Sequence, residues 1–348
     1  MKKTPTRLAD GRELIYYDSA DAVVRHATDP RPLAPVATTS QIRYDKLLGD
    51  SVAVASHRQG RTYHPPADEC PLCPSREGRL SEIPDTDYEV VVFENRFPSL
   101  AGGLGRCEVV CFTSDHDASF ADLTPDAARL VLDTWTDRTR DLSRVPGVVQ
   151  VYPFENRGAE IGVTLGHPHG QIYGYPFVTP RTDLMLRSLA AHREHTGGRN
   201  LFDDVLADEI ADGGRVVLSG EHWTAFVPFA AHWPYEVHLY PRRRVPDLLG
   251  LAEDARAEFP YVYLELLRRF DRVFGEGQPP TPYVSGWHQA PFGMPDRQDF
   301  ALHLELFTIR RTSGKLKFLA GSESGMGAFV NDVPPESAAT RLREVASQ

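Results

Sequence analysis

The chain is organised around the segment Leu165-Gly-His-Pro-His-Gly-Gln-Ile-Tyr173, in which two imidazoles flank a proline, glycines stand on both sides, and a glutamine follows. His167 and His169 are two residues apart, so an extended backbone would project both rings to one face. Pro168 lacks a backbone N–H, which makes a central strand position unfavourable. The pair is therefore predicted at the end of a strand or in a tight loop.

This loop has the groups that phosphate chemistry needs. A neutral imidazole near its own pKa is a nucleophile, a general base and a metal ligand, so two imidazoles allow two roles. Gly166 and Gly170 let the backbone approach a ligand, and backbone N–H groups beside glycine bind phosphate oxygens well. A lone histidine is usually a hydrogen-bonded structural residue, but these flanking residues favour a functional site.

Composition is that of an ordinary globular protein. The chain has 348 residues, 41% hydrophobic and 25% charged, which is enough for one large or two medium domains. It has no run of about eighteen apolar residues, and its first residues lack the apolar core of a signal peptide, so no membrane partner is expected. The formal net charge of −10 disfavours nucleic acid as a partner, because that surface needs clustered Lys and Arg.

Cysteine usage favours a metal site in a reducing, cytoplasmic compartment. Four cysteines are too few for a disulfide scaffold. The Cys70-Pro-Leu-Cys73 turn presents two thiolates to one cation, whereas Cys107 and Cys111 share one face of a predicted strand as small core residues. The remaining donors are therefore histidines, with His116 and His167 as candidates. A redox role is less favoured, since no strand-to-helix pattern surrounds the pair.

The first sixty residues combine an extended arm with a predicted strand. Glu13 to Tyr17 reads as a strand at the start of the arm, and Ile42 to Ser56 alternates apolar and polar residues as a strand does. Arg58 and Arg61 follow that strand, where a guanidinium pair could clamp phosphate. Two solvated arginines are the alternative interpretation.

Periodicity and capping signals predict the later elements. Thr124 is expected to cap a helix that has Pro125 at its first position. The predicted helices are Thr124 to Leu142, Pro180 to His195, Leu201 to Asp212 and Pro260 to Phe274, and the predicted strands are Tyr88 to Phe93, Gly105 to Phe112, Val148 to Phe154 and Tyr283 to His288.

The second half of the chain echoes the order of elements in the first. Phe300 to Phe307 stands where the histidine loop stood, so His303 and Glu305 would mirror His167 and His169. We expect a duplicated α+β unit whose strands pair antiparallel in one sheet. The expected organisation is an N-terminal arm over residues 1–41, an N-terminal repeat over 42–195 with the metal site and the histidine loop, and a C-terminal degenerate repeat over 196–348.

Seven short motifs occur in an order and spacing that are jointly improbable. They are Cys70-x-x-Cys73, Asn95-Arg-Phe-Pro, Asp115-His116, Phe154-Glu-Asn-x-Gly, His167-Pro-His-Gly-Gln171, Trp233-Pro-Tyr-Glu236 and Gly286-Trp-His288. Together they resemble the galactose-1-phosphate uridylyltransferase family, a branch of the histidine triad superfamily, from about Ile42 to Arg343. The resemblance implies two tandem histidine-triad-like repeats that form one mostly antiparallel sheet, a half-barrel, flanked by helices.

The resemblance also implies a ping-pong transferase. His169 would attack the α-phosphorus of UDP-glucose, glucose 1-phosphate would leave, and a hexose 1-phosphate, galactose 1-phosphate in the family, would then accept the uridylyl group. A neutral imidazole suits this role, because charged phosphate oxygens repel an anionic nucleophile. Gln171 would donate its amide to a phosphate oxygen.

Site residues carried over by position fall into two groups. Cys70, Cys73, His116 and His167 resemble the ligands of one structural zinc ion, a closed set with no water position. The residues that resemble uridine, phosphate and hexose contacts, some of them reached across a homodimer interface, are Arg58, Arg61, Asn95, Asn156, Gly162, Thr164, Lys317 and Glu323.

Two departures from the family concern the second half. Some relatives hold iron through one Glu and three His; here Met185 takes the place of the glutamate and Glu305 that of the last histidine, although His288 and His303 are present. A second, iron-type site is therefore not expected. A glutamine that contacts sugar in relatives is also absent, with Phe329 near its place, so the resemblance leaves hexose specificity open.

Alternative functions use the same loop differently. A related nucleotidyltransferase, such as an ADP-glucose phosphorylase with inorganic phosphate as acceptor, would exchange labelled glucose 1-phosphate into ADP-glucose instead of UDP-glucose. A zinc-stabilised binding protein with a dead site is disfavoured by the intact His169 and Gln171. A bare nucleotide hydrolase would not need the long second half as an acceptor site.

Overall fold

Strands and helices alternate in a mixed α+β fold in the computed structural model, which describes residues 1–36, 38–60 and 65–347. Among these residues the largest sheet has eleven strands and is mostly antiparallel, as the sequence predicts. None of the helices in the described part of the chain combines the length and apolar character that a membrane span needs. The chain divides into two compact units.

The first unit comprises Met1–Pro153, Thr164–Asp183 and Pro291–Pro295. Its elements are β1 (Lys2–Arg7), β2 (Glu13–Asp18), β3 (Gln41–Asp45), β4 (Asp50–Val54), β5 (Val90–Glu94), β6 (Arg106–Cys111), α1 (Pro125–Leu142), β7 (Gln150–Arg157), β8 (His169–Tyr175) and the start of α2 (Pro180–His195). The strand order is β1-β2-β5-β6-β8-β7. The strand that begins at His169 therefore lies inside the sheet and not at its edge.

The second unit comprises Phe154–Val163, Leu184–Ala290 and Asp296–Gln348, so β7 and α2 each continue into it. Its other elements are α3 (Leu201–Asp212), β9 (Val216–Ser219), β10 (Trp223–Phe226), β11 (Tyr235–Pro241), α4 (Glu253–Arg272), β12 (Tyr283–His288), β13 (His303–Thr308), β14 (Arg310–Thr312), β15 (Lys315–Leu316) and α5 (Pro335–Glu344). The strand order is β7-β12-β13-β11-β10-β9, and β14 pairs with β15 separately.

Three helices match their sequence predictions. The α1 helix follows Thr124, whose side chain accepts a hydrogen bond from Ala127 N, with Pro125 in the first turn. The bounds of α2 and α3 are those predicted, and Asn200 caps α3 by accepting from Phe202 N and Asp203 N. Capping residues that satisfy the first backbone N–H groups fix where a helix begins, which explains the starts of α1 and α3.

The predicted strand from Ile42 to Ser56 is wrong, because the segment folds back as the hairpin β3–β4. The turn uses Asp45, whose carboxylate accepts from Leu47 N at 2.8 Å, and Gly49, whose φ is +71°. Apolar and polar residues alternate in both strands of the hairpin, so the pattern of alternation does not reveal the turn between them. Leu47 is 96% exposed and Leu48 76%.

Other boundaries also differ from prediction. The α4 helix begins at Glu253, so Pro260 lies inside the helix and does not start it. The β7 strand continues to Arg157, because Phe154 to Arg157 pair with β12. The N-terminal segment contains β1 as well as β2, and β2 pairs with β5 in the large sheet; the sequence predicted only the second of these two strands.

A buried ion pair anchors β6 to α1. Glu108 Oε1 lies 2.8 Å from Arg138 Nη2, and the two side chains are 1% and 4% exposed. Removing one partner of such a pair leaves a buried charge and costs about 3–5 kcal/mol. Since Cys111 of β6 lies opposite His169 of β8, this pair helps to fix the strand that carries the histidine.

Candidate active site

His169 is the first residue of β8, the strand end that the sequence predicts for this loop. Its Nδ1 lies 2.7 Å from the carbonyl oxygen of His167, so Nδ1–H donates and the Nε2 lone pair is available. Burial lowers the pKa of His169, and the bond to the His167 carbonyl offsets this only in part. The ring is therefore neutral at pH 7, as a nucleophile must be.

A cavity of about 160 Å³ opens beside this ring. His169 and Gln171 line it together, because residues two apart on a strand face the same side. Arg58 also lines it; the residue lies in a 3₁₀ turn and donates to Phe97 O at 2.9 Å. Arg58 is thus held in place and is not a freely solvated arginine. The full lining is Arg58, Pro71, Leu72, Glu82, Phe93, Asn95, Arg96, Phe97, Val109, Thr164, Leu165, His169 and Gln171.

Asn95 and Thr164 reach the same cavity from different elements. Asn95 follows β5, and its side-chain oxygen accepts from Phe97 N at 2.8 Å, which holds the side chain in place. The remaining walls are mostly apolar side chains, which suit the faces of a nucleotide base. The cavity thus combines apolar walls with polar side chains, among them His169 and Gln171.

Cys70, Cys73, His116 and His167 come together in the same unit, with ligand atoms all within 4.8 Å of one another. Cys73 Sγ lies 3.3 Å from His116 Nδ1 and 3.6 Å from His167 Nδ1. Thiolate and imidazole ligands of one tetrahedral ion are about 3.6 Å apart, given the usual bond lengths. Burial raises the pKa of Cys73 to about 11 in the absence of a cation. The donor set therefore fits a metal ion.

His167 is oriented by two contacts that sequence reasoning missed. Its Nε2 lies 2.8 Å from Thr113 O and 2.7 Å from the hydroxyl of Tyr88, and that hydroxyl donates to Leu72 O at 2.9 Å. Such outer contacts fix the tautomer and ring angle of a metal-binding histidine. No sequence signal marks Tyr88, which precedes β5 as an ordinary strand-flanking aromatic residue.

Four other predicted contact residues, Asn156, Gly162, Lys317 and Glu323, lie in the second unit. Asn156 is inside β7, opposite Val284 of β12, and Gly162 ends a short 3₁₀ turn with a φ of +82° that favours glycine. Lys317 Nζ lies 2.8 Å from Glu323 Oε1. Arg61 lies outside the described residues.

A second group of histidines and carboxylates is buried in the second unit. His288, His303 and Glu305 have ligand atoms within 4.8 Å of one another, and Glu236, His238 and Glu305 form an overlapping group. Sequence reasoning quoted Glu236 only as the end of the Trp233-Pro-Tyr-Glu236 motif and missed His238, because the pairing of β11 with β13 is not visible in the sequence.

Met185 and Phe329 mark the two departures from the family. Met185 lies in the second unit and packs against an apolar cluster that includes Tyr240 and Phe300. Phe329 contacts the ring of His232, with ring centroids 4.7 Å apart. Neither side chain offers a carboxylate or an amide; Met185 packs among apolar side chains and Phe329 contacts an aromatic ring.

Comparison with known proteins places this geometry in a family. Residues 99–179 match the model of the galactose-1-phosphate uridyl transferase N-terminal domain, and residues 187–348 match that of its C-terminal domain. A galactose-1-phosphate uridylyltransferase from Streptomyces lividans is 66% identical, and the match covers 99% of this chain and 98% of the relative.

Solved structures agree with these matches. One described as the structure of uridylyltransferase superposes with a TM-score of 0.76 and 31% identity, covering 87% of this chain and 97% of the other. An ADP-glucose phosphorylase from Arabidopsis thaliana, with ADP-glucose bound, shares the fold with a TM-score of 0.70 and 22% identity, covering 89% of this chain and 100% of the other. On the family models and the full-length identity, the chain belongs to the galactose-1-phosphate uridylyltransferase family.

Proposed function

We propose that the chain transfers a uridylyl group between UDP-glucose and a hexose 1-phosphate, with galactose 1-phosphate as the acceptor. The observation that carries the proposal is the hydrogen bond of 2.7 Å between His169 Nδ1 and His167 O, which leaves Nε2 as the nucleophile beside a cavity. Sugar nucleotides and sugar phosphates are the proposed partners. The cytoplasm is the proposed compartment, in keeping with four cysteines free of disulfides.

The reaction proceeds in two balanced steps. In the first, the Nε2 lone pair of His169 attacks the α-phosphorus, the bond from that phosphorus to the bridging oxygen breaks, and glucose 1-phosphate leaves with the electron pair. In the second, a phosphate oxygen of the hexose 1-phosphate attacks the same phosphorus, the P–N bond breaks, and its electrons return to the ring. The Nδ1 proton stays on His169 throughout, held by the His167 carbonyl.

Gln171 and Arg58 act on the phosphate oxygens. Gln171 lies two residues beyond His169 on the same face of β8 and lines the same cavity. An amide that donates to the phosphate stabilises the charge that develops as phosphorus becomes five-coordinate. Arg58 supplies a permanent positive charge, and its bonds to Phe97 O and Ser99 Oγ hold the guanidinium in place before substrate binds. Asn95, Asn156, Gly162 and Thr164 are proposed as further nucleotide contacts.

We also propose that Cys70, Cys73, His116 and His167 hold zinc. Two thiolates and two imidazoles are a set that zinc prefers, and four protein donors leave no position for water. When bound, the ion fastens three separated segments of the chain and does not react. His167 would join this cluster to the reaction, because its side chain is a ligand and its carbonyl oxygen orients His169.

The proposed active form is a homodimer to which each partner contributes contacts. Lys317 and Glu323 resemble contacts that are reached across an interface. The chain next to them has exposed apolar side chains: Phe318 is 71% exposed, Met326 82% and Val330 56%. Apolar surface of this kind is typical of a protein interface. Light scattering should give twice the chain mass, and Phe318→Asp should shift the mass toward one chain.

Isotope exchange tests the proposed function directly. The protein should exchange labelled glucose 1-phosphate into UDP-glucose with no acceptor present, and intact-mass measurement should show an acid-labile uridylyl adduct. His169→Gly should lose both signals, and added imidazole should restore turnover by replacing the ring. Exchange into ADP-glucose at a higher rate would favour the phosphorylase alternative, and no adduct with either nucleotide would favour a binding protein.

A further inference from the structure

Alternate side chains of β8 share one face of the strand: His169, Gln171, Tyr173 and Tyr175. These positions are half-buried, and the glycines and the isoleucine between them are buried, as expected where one face packs on the core. His169 and Gln171 line the cavity. Tyr173 lies roughly 14 Å beyond His169, given a rise of about 3.4 Å per residue, and therefore shares the face of the nucleophile without bordering the cavity.

The hydroxyl of Tyr173 connects this face to Arg58 through Ser99. It lies 3.1 Å from Ser99 Oγ, and Arg58 Nη1 donates to the same Oγ at 2.7 Å. A serine hydroxyl has one proton and two lone pairs, so it can accept from the guanidinium and bond to the phenol at the same time. A chain of hydrogen bonds thus runs from β8 to a cation that lines the cavity.

The turn that carries Arg58 depends on contacts with another segment. It is the 3₁₀ turn Ser56–Gly60, and none of its five residues is buried. Besides Ser99 Oγ, its side-chain acceptors are backbone carbonyls of the same segment, with His57 Nε2 2.7 Å from Pro98 O and Arg58 Nη1 2.9 Å from Phe97 O. Fixing a long arginine side chain costs much rotamer freedom, so hydrogen bonds formed before substrate arrives reduce the cost of binding.

Tyr173 is a rigid point from which to hold this side chain. It lies opposite Cys107 of β6, and β8 has neighbouring strands on both sides. The ring of Tyr175 lies next to it, with centroids 5.8 Å apart. Burial raises the pKa of Tyr173, so the phenol keeps its proton at neutral pH and can form its bond with Ser99 as donor or acceptor.

We propose that Tyr173 is a positioning residue for the transfer reaction, which acts through the Ser99 hydroxyl to hold the Arg58 guanidinium in register with His169. This role rests on the proposed function, because that function assigns Arg58 to the phosphate groups of the nucleotide. Since His169 and Tyr173 belong to one strand, the nucleophile and the support of the cation share one rigid reference. A displacement of about 1 Å in a positioning contact can cost about a hundredfold in rate.

A double-mutant cycle on the full-length protein tests this role, with the rate of adduct formation from UDP-glucose as the measurement. Tyr173→Phe removes one hydroxyl and should slow the step roughly tenfold. In an Arg58→Ala background the same change should alter the rate by less than about twofold, because the group that it supports is gone.

Matched variants separate the hydroxyl contact from a general effect on the strand. Ser99→Ala should slow adduct formation about as much as Tyr173→Phe, and Ser99→Thr, which keeps a hydroxyl, should stay within about threefold of wild type. Tyr175→Phe removes a hydroxyl from the same face of β8 and should form adduct at the wild-type rate. A loss in Tyr175→Phe equal to that in Tyr173→Phe would overturn the specific role of Tyr173.

Two other results would overturn the proposal: a wild-type rate in Tyr173→Phe, or an equal loss with and without Arg58. Failure of the proposed function is recognised separately, because wild-type protein would then form no adduct. Crystal structures of wild-type and Tyr173→Phe protein test the support in that case also. The guanidinium of Arg58 should lose its contact with Ser99 Oγ in the variant, and an unchanged Arg58 position would overturn the role of Tyr173.

Discussion

Two strands, β8 and β13, begin with the same local structure and differ in what surrounds it. His169 and His303 are each the first residue of their strand. Each ring has its Nδ1 near the carbonyl oxygen two residues earlier, at 2.7 Å from His167 O and 2.8 Å from Ala301 O. Burial lowers the pKa of both rings, that of His303 to about 4. In both strands the backbone carbonyl therefore orients the imidazole ring and fixes the proton on Nδ1. The side chains around each ring determine what the ring can do.

The neighbours of the two rings are opposite in kind. His169 borders a cavity that it shares with Gln171, whereas His303 is 1% exposed and stacks on Tyr240 with centroids 4.7 Å apart. Two residues further along, β8 has the neutral amide of Gln171 and β13 has the carboxylate of Glu305. An amide can donate to phosphate, while a carboxylate repels phosphate and attracts cations. The same backbone framework thus places a neutral amide beside one ring and a carboxylate beside the other.

This comparison changes the internal alignment of the chain. The sequence pairs His303 and Glu305 with His167 and His169, but the shared ring geometry pairs His303 with His169 and Glu305 with Gln171. The predicted alignment was shifted by two residues, because it counted histidines and not the position at which each strand begins.

The largest expected effect is the difference in activity between variants that lack the His169 ring and variants that lack the His303 ring. His169→Ala should lower the rate of uridylyl exchange by at least about 10⁴-fold, the usual scale for loss of a nucleophile. His303→Ala should change that rate by less than about threefold, provided that circular dichroism shows it folded. Equal losses in both variants would mean that β13 also takes part in the reaction.

The next effect concerns the cysteine cluster that accompanies β8. Cys73→Ala should lose one metal ion and lower the melting temperature by roughly 10 °C or more, since binding energy at such a site is folding energy. Cys107→Ala removes a core cysteine on β6 that is 2% exposed, and it should keep its metal at a cost of about 1 kcal/mol. Calorimetry with metal analysis measures both, and metal-free wild-type protein of full stability would contradict the cluster's role.

A smaller effect tests the residues that follow the rings. Gln171→Ala should fold normally and exchange about a hundredfold more slowly, if its amide stabilises developing charge as an oxyanion donor does. Glu305→Gln, at the corresponding position of β13, should exchange at the wild-type rate. Rapid-quench measurement of adduct formation separates this step from product release. A change confined to KM in Gln171→Ala would assign the amide to binding alone.

The smallest effect is the pH dependence of adduct formation. The neutral ring of His169 is the reactive form, and burial holds its pKa below the ordinary value of about 6.5. The rate with UDP-glucose should therefore be flat above about pH 6.5 and should fall up to tenfold per pH unit only below the lowered pKa. UDP-glucose does not titrate in this range, so the midpoint belongs to the protein. A midpoint above 6.5 would contradict burial as the controlling factor.

Local signals predicted much of the fold and the centre of the site. The start of α1 followed from the cap at Thr124 and from Pro125 at the first helical position, because these signals depend on residues within one turn. The grouping of Cys70 and Cys73 with two histidines followed from donor chemistry. By contrast, the β3–β4 turn was missed, since alternation is the same on both sides of Asp45 to Gly49.

Contacts that depend on strand register were not predictable. Tyr88 meets His167 across 79 residues of chain, and no periodicity encodes that distance. Glu236 and His238 meet Glu305 only because β11 pairs with β13 in one particular register. A shift of one residue in strand register would turn these side chains to the other face of the sheet. The sequence therefore shows which polar residues are present, but it does not show which of them lie next to one another.

The spacing of the cysteine cluster has a consequence for how the chain is made. Cys73 and His167 are separated by 94 residues, so the last donor is synthesised roughly 5–20 s after the thiols at a synthesis rate of about 5–20 residues per second. During that interval the thiols are without the histidine that completes their set and are exposed to oxidants and to competing soft metals. If this cluster binds a metal as proposed, metal supply and redox balance during translation should therefore affect the yield of active enzyme more strongly than the same stresses applied to the finished protein.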